Sequence, residues 1–368
     1  MPQLKLNCWL ALFSLLVITA AVFGGISGSL QGRVTDIETS EPLAGVNIII
    51  RETQQGTASG TNGFFKIHNI RAGSYTMLVS MIGYRLQTIK NVTIIPDQQT
   101  KLNVYLRQTA IELDVLEITA EKPLIQTDVT GTSYDIDSKR IGELPIDKVQ
   151  QAVALQAGTT LEGNIRGGKT REVIYLIDGL PVQDVIQGGL GTEIPKSAIL
   201  QMSVKTGGFN AEYGSALSGV VNLITRRGAK DHRIFARADK DNLFGGTQVS
   251  KRNELELAVS GPMPGEKLYY FLANTLILTD TRWWQDMQHF FNSPIQKELN
   301  GIGKFDWLYS PSKRLGLQVL YSLKRWRDYE FSWRYNLDGL PSRRRNSYRI
   351  ALSWTHTISE KTFYSTRL

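Results

Sequence analysis

The sequence predicts a mainly β chain in three folded parts: a small β-sandwich, a mixed α+β middle, and the first strands of a transmembrane antiparallel β-barrel. Three observations carry this. Short β-branched runs broken by turn residues fill 32–106, glycine-rich turns surround a single helical stretch up to Gly228, and beyond it apolar and polar residues alternate. Past the leader no segment offers the ~18 consecutive apolar residues of a spanning helix, so any further embedding has to be by strands.

The first element is a leader at 1–28. Lys5 precedes an apolar run from Cys8 to Ile18, followed by Ala20, Ala21, Gly24, Gly25, Ser27 and Gly28. This is the layout of an export signal, an uncleaved anchor being the other reading. Cys8 is the single cysteine. Without the leader the chain therefore has no disulfide, thiolate metal site or cysteine nucleophile. Residues 1–228 hold 20 basic and 20 acidic side chains and 229–368 hold 22 and 14, so the net +8 belongs to the last part. Export argues against nucleic acid, and anionic lipid head groups or an anionic solute suit the basic end better.

The second element, 29–107, reads as seven short strands: 32–36, 46–50, 57–59, 64–67, 74–81, 85–94 and 100–106. Gln55-Gly56, Asn62-Gly63 and Ala72-Gly73 mark turns between them. The pieces Gly32-Arg-Val-Thr-Asp36, Pro42-Leu-Ala-Gly-Val46, Thr61-Asn-Gly-Phe64, Gly73-Ser-Tyr75 and Ile82-Gly-Tyr84 resemble the carboxypeptidase regulatory-like family. That resemblance implies an Ig-like or transthyretin-like β-sandwich with Phe64 and Tyr75 in its core, and no catalytic activity.

From 108 to 127 acidic and apolar residues alternate until Pro123, as in an exposed extended linker. Within it Leu113, Asp114, Val115, Leu116, Glu117, Ile118, Thr119 and Ala120 resemble the TonB box of TonB-dependent receptors. In that family a periplasmic energy-transducing protein captures the box as an added strand, which asks little more than an extended backbone. Glu117 stands where the family favours an apolar β-branched residue, so the register of the box stays open.

The next element, 128–228, places a helical stretch at 149–157 after Pro145, a strand at 172–178 closed by Asp178-Gly179, and a strand at 199–206 closed by Gly207-Gly208. Ile165-Arg-Gly-Gly168, Val173-Ile-Tyr-Leu-Ile-Asp-Gly-Leu-Pro181 and the run from Gly208 to Thr225 resemble the plug domain of the same receptors throughout. The resemblance implies that Arg166 faces the barrel wall. Gly163-Asn-Ile-Arg-Gly-Gly-Lys-Thr170 also fits a phosphate-loop pattern, but a strand is expected after it where that site needs a helix.

The last element, 229–368, alternates at 254–260, 315–324 and 348–355, with Leu320 out of step. A barrel wall between lipid and water needs this pattern, and so does a soluble sheet with one buried face. Trp283, Trp284, Trp307, Trp326, Trp333 and Trp354 cluster here, near expected strand ends, as interfacial girdles do. A long charged loop at 325–345 and a tight turn at Ser310-Pro311-Ser312 fit outer loops and inner turns. At about 20 residues per strand this part supplies about seven strands, whereas plugged transporters close with about 22, so a truncated or partial barrel is expected.

The four histidines are scattered, and neither a metal-binding spacing nor a nucleophile elbow is present. Asp178 reads as a turn residue rather than a general base. The resemblance therefore implies a non-enzymatic receptor in the outer membrane, without cofactor or metal. It would take up a solute such as an oligosaccharide, a peptide or a siderophore. Its partners would be the TonB protein, outer-membrane lipid, a small solute ligand and a surface lipoprotein. A secreted adhesion protein with a sandwich module and no transport activity is the competing reading.

Overall fold

The computed structural model describes residues 27–95, 98–108, 116–119, 132–240, 252–279, 296–359 and 362–368, apart from isolated loop positions. The expected leader, Leu113 to Val115, Ala120, Trp283 and Trp284 lie outside the described residues, except for Ser27 and Gly28. No helix among the described residues is long and apolar enough to cross a membrane.

The sandwich is built from β1 (Ser27–Asp36), β2 (Asn47–Ile50), β3 (Gly56–Ala58), β4 (Phe64–Arg71), β5 (Gly73–Ser80), β6 (Gln87–Ile94), β7 (Gln99–Lys101) and β8 (Val104–Leu106). β1 starts two residues ahead of the boundary set at 29. One sheet has the order β4-β1-β7 with β8 also on β1, and the other the order β3-β2-β5-β6-β9, where β9 (Leu116–Thr119) comes from the linker. Alternate residues of β1 are buried. Leu30 and Val34 thereby meet Ile48, Ile50, Phe65, Ile67, Met77, Val79, Ile89, Val92 and Ile94 in one core.

Two expectations need correction. The strand foreseen at 100–106 is two strands, because the chain crosses over Gly32 between them. A Cβ on Gly32 would lie 1.7 Å from the Leu102 carbonyl oxygen, so only glycine allows that approach. Phe64 is 40% exposed and its neighbour Phe65 only 1% exposed. Strand parity admits one of the two and the core takes the second, while Tyr75 does pack against the core, as expected. Phe65→Leu should cost about 1–2 kcal/mol of sandwich stability and Phe64→Leu within about 0.5. Chemical denaturation of the two variants checks the assignment.

The plug segment forms a sheet of order β10-β13-β14-β11-β12. Its strands are β10 (Ser133–Asp137), β11 (Val173–Ile177), β12 (Leu180–Pro181), β13 (Ile199–Lys205) and β14 (Gly219–Thr225). Every residue of the central β14 is buried. Short helices α1 (Ser138–Glu143) and α2 (Val149–Ala154) cover it. Asp137 caps α1 by accepting from the Arg140 N–H at 2.9 Å. The phosphate-loop pattern is followed by a 3-10 turn at Thr170–Glu172 and then by β11, so the helix that such a site needs is not there.

The last part is one antiparallel sheet in sequential order. It comprises β15 (Arg233–Lys240), β16 (Arg252–Pro262), β17 (Leu268–Thr279), β18 (Gln296–Ser310), β19 (Lys313–Trp326), β20 (Arg343–Ser359) and β21 (Thr362–Arg367). Its parity follows the sequence. Glu254, Glu256, Glu298, Asn300, Lys304, Gln318 and Ser322 are buried on one face, whereas Leu255, Leu257, Leu317, Tyr348, Ile350 and Leu352 are exposed on the other. Leu320, out of step in sequence, is fully buried. With Ala258, Phe271, Ala273 and Ile302 it forms an apolar patch continuous with the plug core. The connections alternate in length, long after Lys240, Thr279 and Trp326, short after Pro262, Ser310 and Ser359.

Candidate functional site

The functional geometry lies where the plug meets the polar face of the sheet. β11 and β12 are joined by Asp178 and Gly179, with φ of 52° and 77°. Two successive positive φ values make the turn that suits tight hairpins, and Asp-Gly is the pair that tolerates it. The turn directs the Asp178 carboxylate at the wall. Oδ1 accepts the Thr225 N–H at 3.0 Å, and Oδ2 accepts from Thr225 Oγ1 at 2.6 Å and Gln318 Nε2 at 2.7 Å. Lys304 Nζ sits 2.7 Å from Oδ2 and also donates to the Thr225 carbonyl at 3.1 Å. Asp178 and Lys304 are 7% and 3% exposed, so the pair is withdrawn from water.

The backbone of the same turn is held as well. Arg349 donates to the carbonyls of Leu180 and Ile177 at 3.2 Å each and to Gln318 Oε1 at 3.0 Å, and Arg367 donates to the Asp178 carbonyl at 3.4 Å. Four wall strands, β18 to β21, thus grip one plug turn. Burial by itself would raise the Asp178 pKa. The charges of Lys304 and Arg227 and the hydrogen bonds from Lys304 and Thr225 outweigh it and hold the carboxyl well below its usual range. A carboxylate so saturated with donors is a structural anchor, not a proton acceptor at neutral pH.

Further polar contacts run towards the long-loop end of the wall. Asp184 pairs with Arg345 at 3.2 Å, Thr192 Oγ1 and Ser347 Oγ lie 2.6 Å apart, and Glu256 Oε1 accepts the Ser197 N–H at 2.7 Å. At the short-turn end Asp306 is shared by Arg227, on the tether from β14 to β15, and by Arg71 of the sandwich at 3.4 Å. The sandwich therefore docks beside the short turns.

Of the residues singled out from sequence, Arg166 is exposed, has φ of 48°, and donates from Nη2 to Thr132 Oγ1 of the plug itself at 2.9 Å. Leu116, Glu117, Ile118 and Thr119 are β9, paired in parallel with Gln87, Thr88, Ile89 and Lys90 of β6. In sequence Asp178 is legible only as a turn former. Its partners Lys304, Gln318 and Arg349 were not singled out, although each is a long polar side chain at a lumen-parity position of an alternating strand. Glu254 and Glu256 share that parity.

Comparison with known proteins adds four findings. A family model of the CarboxypepD_reg-like domain matches residues 30–118. The chain is 22% identical over 278 residues to the TonB-dependent transporter Oar of Myxococcus xanthus, covering 67% of this chain and 26% of that protein. It is 25% identical over 272 residues to the TonB-dependent receptor SusC of Bacteroides thetaiotaomicron, again covering 67% of this chain and 26% of that protein. The chain thus spans about a quarter of the length of both relatives. Among solved structures, a mutant ferric enterobactin receptor of Pseudomonas aeruginosa aligns with a TM-score of 0.48 and 19% identity, over 63% of this chain and 39% of that one.

Proposed function

We propose, for a chain that belongs to the TonB-dependent receptors, energy-coupled uptake of a solute across the outer membrane. The observation that carries this is the character of the plug–wall contact. Among the described residues one patch of five apolar wall residues joins the plug core, and the plug is otherwise held to the wall by ion pairs and hydrogen bonds. Polar contacts can be exchanged for water, so such an interface can be opened and remade, whereas a continuous apolar core resists separation.

The alternation of long and short connections gives the sheet a direction. In outer-membrane barrels the short turns face the periplasm, and Arg71 puts the sandwich at that end. Trp307 and Tyr309 stand edge to face at 5.6 Å beside the short turn after Ser310, and Trp326 marks the opposite end of the neighbouring strand. Two aromatic levels are what a bilayer's two interfaces favour. The sandwich and Leu113 to Ala120 then share the compartment of the energy-transducing partner. Solute would bind between the plug and the long loops, and traction on 113–120 would reach the plug through 121–132 and loosen the Asp178 grip. Arg166, exposed on the plug, is the cation we assign to a wall carboxylate in the closed barrel. An oligosaccharide, a peptide and a siderophore are all admissible cargoes, and a surface lipoprotein is the further partner to seek.

The test is binding of the periplasmic C-terminal domain of TonB to the detergent-solubilised protein. Deleting 113–120 should weaken binding at least about a hundredfold, equivalent to about 2.8 kcal/mol. Unchanged binding would exclude this segment as the coupling handle.

A further inference from the structure

The linker strand is not free in this structure. β9 extends the sandwich sheet beyond β6, with Gln87, Thr88, Ile89 and Lys90 opposite Leu116, Glu117, Ile118 and Thr119. Without β9, β6 would present an unpaired row of N–H and C=O groups on the side away from β5, and an exposed edge of this kind recruits a strand. The match to the CarboxypepD_reg-like family runs through Ile118, so three of the four β9 residues lie inside the sandwich's own family model.

The approach to β9 is also fixed on the sandwich. Gln108 bridges Tyr84, and the Arg85 N–H donates to the Arg107 carbonyl at 3.0 Å. Continuing the β6–β9 register upstream would set Leu113 opposite Tyr84, a place that Gln108 already takes. The pairing with β6 covers Leu116 to Thr119, four of the eight residues of the proposed coupling segment. An uninterrupted strand of all eight would measure about 26 Å. Capture by a partner as an added strand would need the backbone groups of 116–119 that β6 now engages.

We propose that the sandwich is a keeper for the energy-coupling strand. β6 holds residues 116–119 in cis, and capture by the periplasmic partner requires this pair to open. The inference rests on the reading of 113–120 as the coupling segment and adds the element that competes for it. The hold suits a reversible catch, because it is a four-residue parallel pair, the weaker kind per residue, and each backbone bond is exchanged for one to water when it opens. The seven-residue connection between Gln108 and Leu116 keeps the strand at high local concentration, so it re-docks whenever the partner lets go. It also gives the docked sandwich a purpose, since traction would first peel β9 from a domain that Arg71 ties to the wall.

The experiment places cysteines at the register pair Lys90 and Thr119 (Lys90→Cys with Thr119→Cys). The chain's one native cysteine, Cys8, lies in the expected leader. A short bifunctional methanethiosulfonate should join the two in the detergent-solubilised full chain. The joined protein should bind the TonB C-terminal domain at least about tenfold more weakly than the unjoined double variant, as expected when the competent state is held below about a tenth of the population. Reductant should restore binding. Absence of cross-linking would show that β6 does not hold the strand, and equal binding before and after cross-linking would show that holding and capture are compatible. Either result overturns the proposal. If the unjoined protein binds no TonB domain, the coupling role of 113–120 falls and the proposal with it, while cross-link yield still reports separately on the β6–β9 pair.

Discussion

Replacing Lys304 by methionine should weaken the seating of the plug by about 3–5 kcal/mol, the cost of leaving a buried partner charge without its counter-ion. Asp178 would keep Thr225 and Gln318 as donors but lose the cation that neutralises it, at 7% exposure. Combining Lys304→Met with Asp178→Asn removes both charges and should recover much of the loss, because an amide can still accept from Thr225. The pair also predicts a pH dependence. Since the folded Asp178 pKa is depressed, its contribution is fully present above the unfolded carboxyl value of about 3.9 and disappears as pH falls through the lower folded value. The contribution of this pair to seating should therefore be constant between neutrality and about pH 5 and be lost only in strong acid. Limited proteolysis of the plug in detergent, followed against temperature and pH, reads both effects. A Lys304→Met protein as resistant as wild type would remove Asp178–Lys304 from the list of things that hold the plug.

The parts of this arrangement that repeat along the chain could be read from sequence, and those made by distant pairs could not. The wall's inside and outside follow from a period of two, so Leu317, Ile350 and Gln318 fell on the faces their positions dictated. Leu320 broke the pattern for a reason visible only in space: it faces the plug core, where a polar residue would be buried without a partner. Gly32 is legible as the first residue of a strand, yet the split between β7 and β8 depends on Leu102 passing over it. Asp178 was legible as half of a hairpin turn. That its carboxylate would meet Gln318, 140 residues away, depends on how the plug sits in the wall, which no local pattern encodes. The same holds for β9, whose composition showed an extended segment but not that β6 would take it up.

Ile350→Arg separates the membrane reading from a soluble sheet with one buried face. Ile350 lies near the middle of the 17-residue β20, opposite Val319, and is 71% exposed on the apolar face. In water, arginine there would be nearly neutral, within about 0.5 kcal/mol, since the side chain is largely exposed. In a bilayer the same position is close to the midplane, where a charged side chain on the lipid face costs about 2–4 kcal/mol. Arg349, one residue earlier, is tolerated because it faces inward and donates to Ile177, Leu180 and Gln318. The expected outcome is a loss of folded, membrane-inserted protein when the variant is refolded from urea into lipid vesicles, with wild-type behaviour for an Ile350→Val control. Moving the arginine to Tyr348, another exposed outer position two residues closer to the long-loop end, should cost less, because the penalty falls towards the interface. A flat response across both positions, with no dependence on depth, would mean that this face meets water and that the seven strands serve a surface protein.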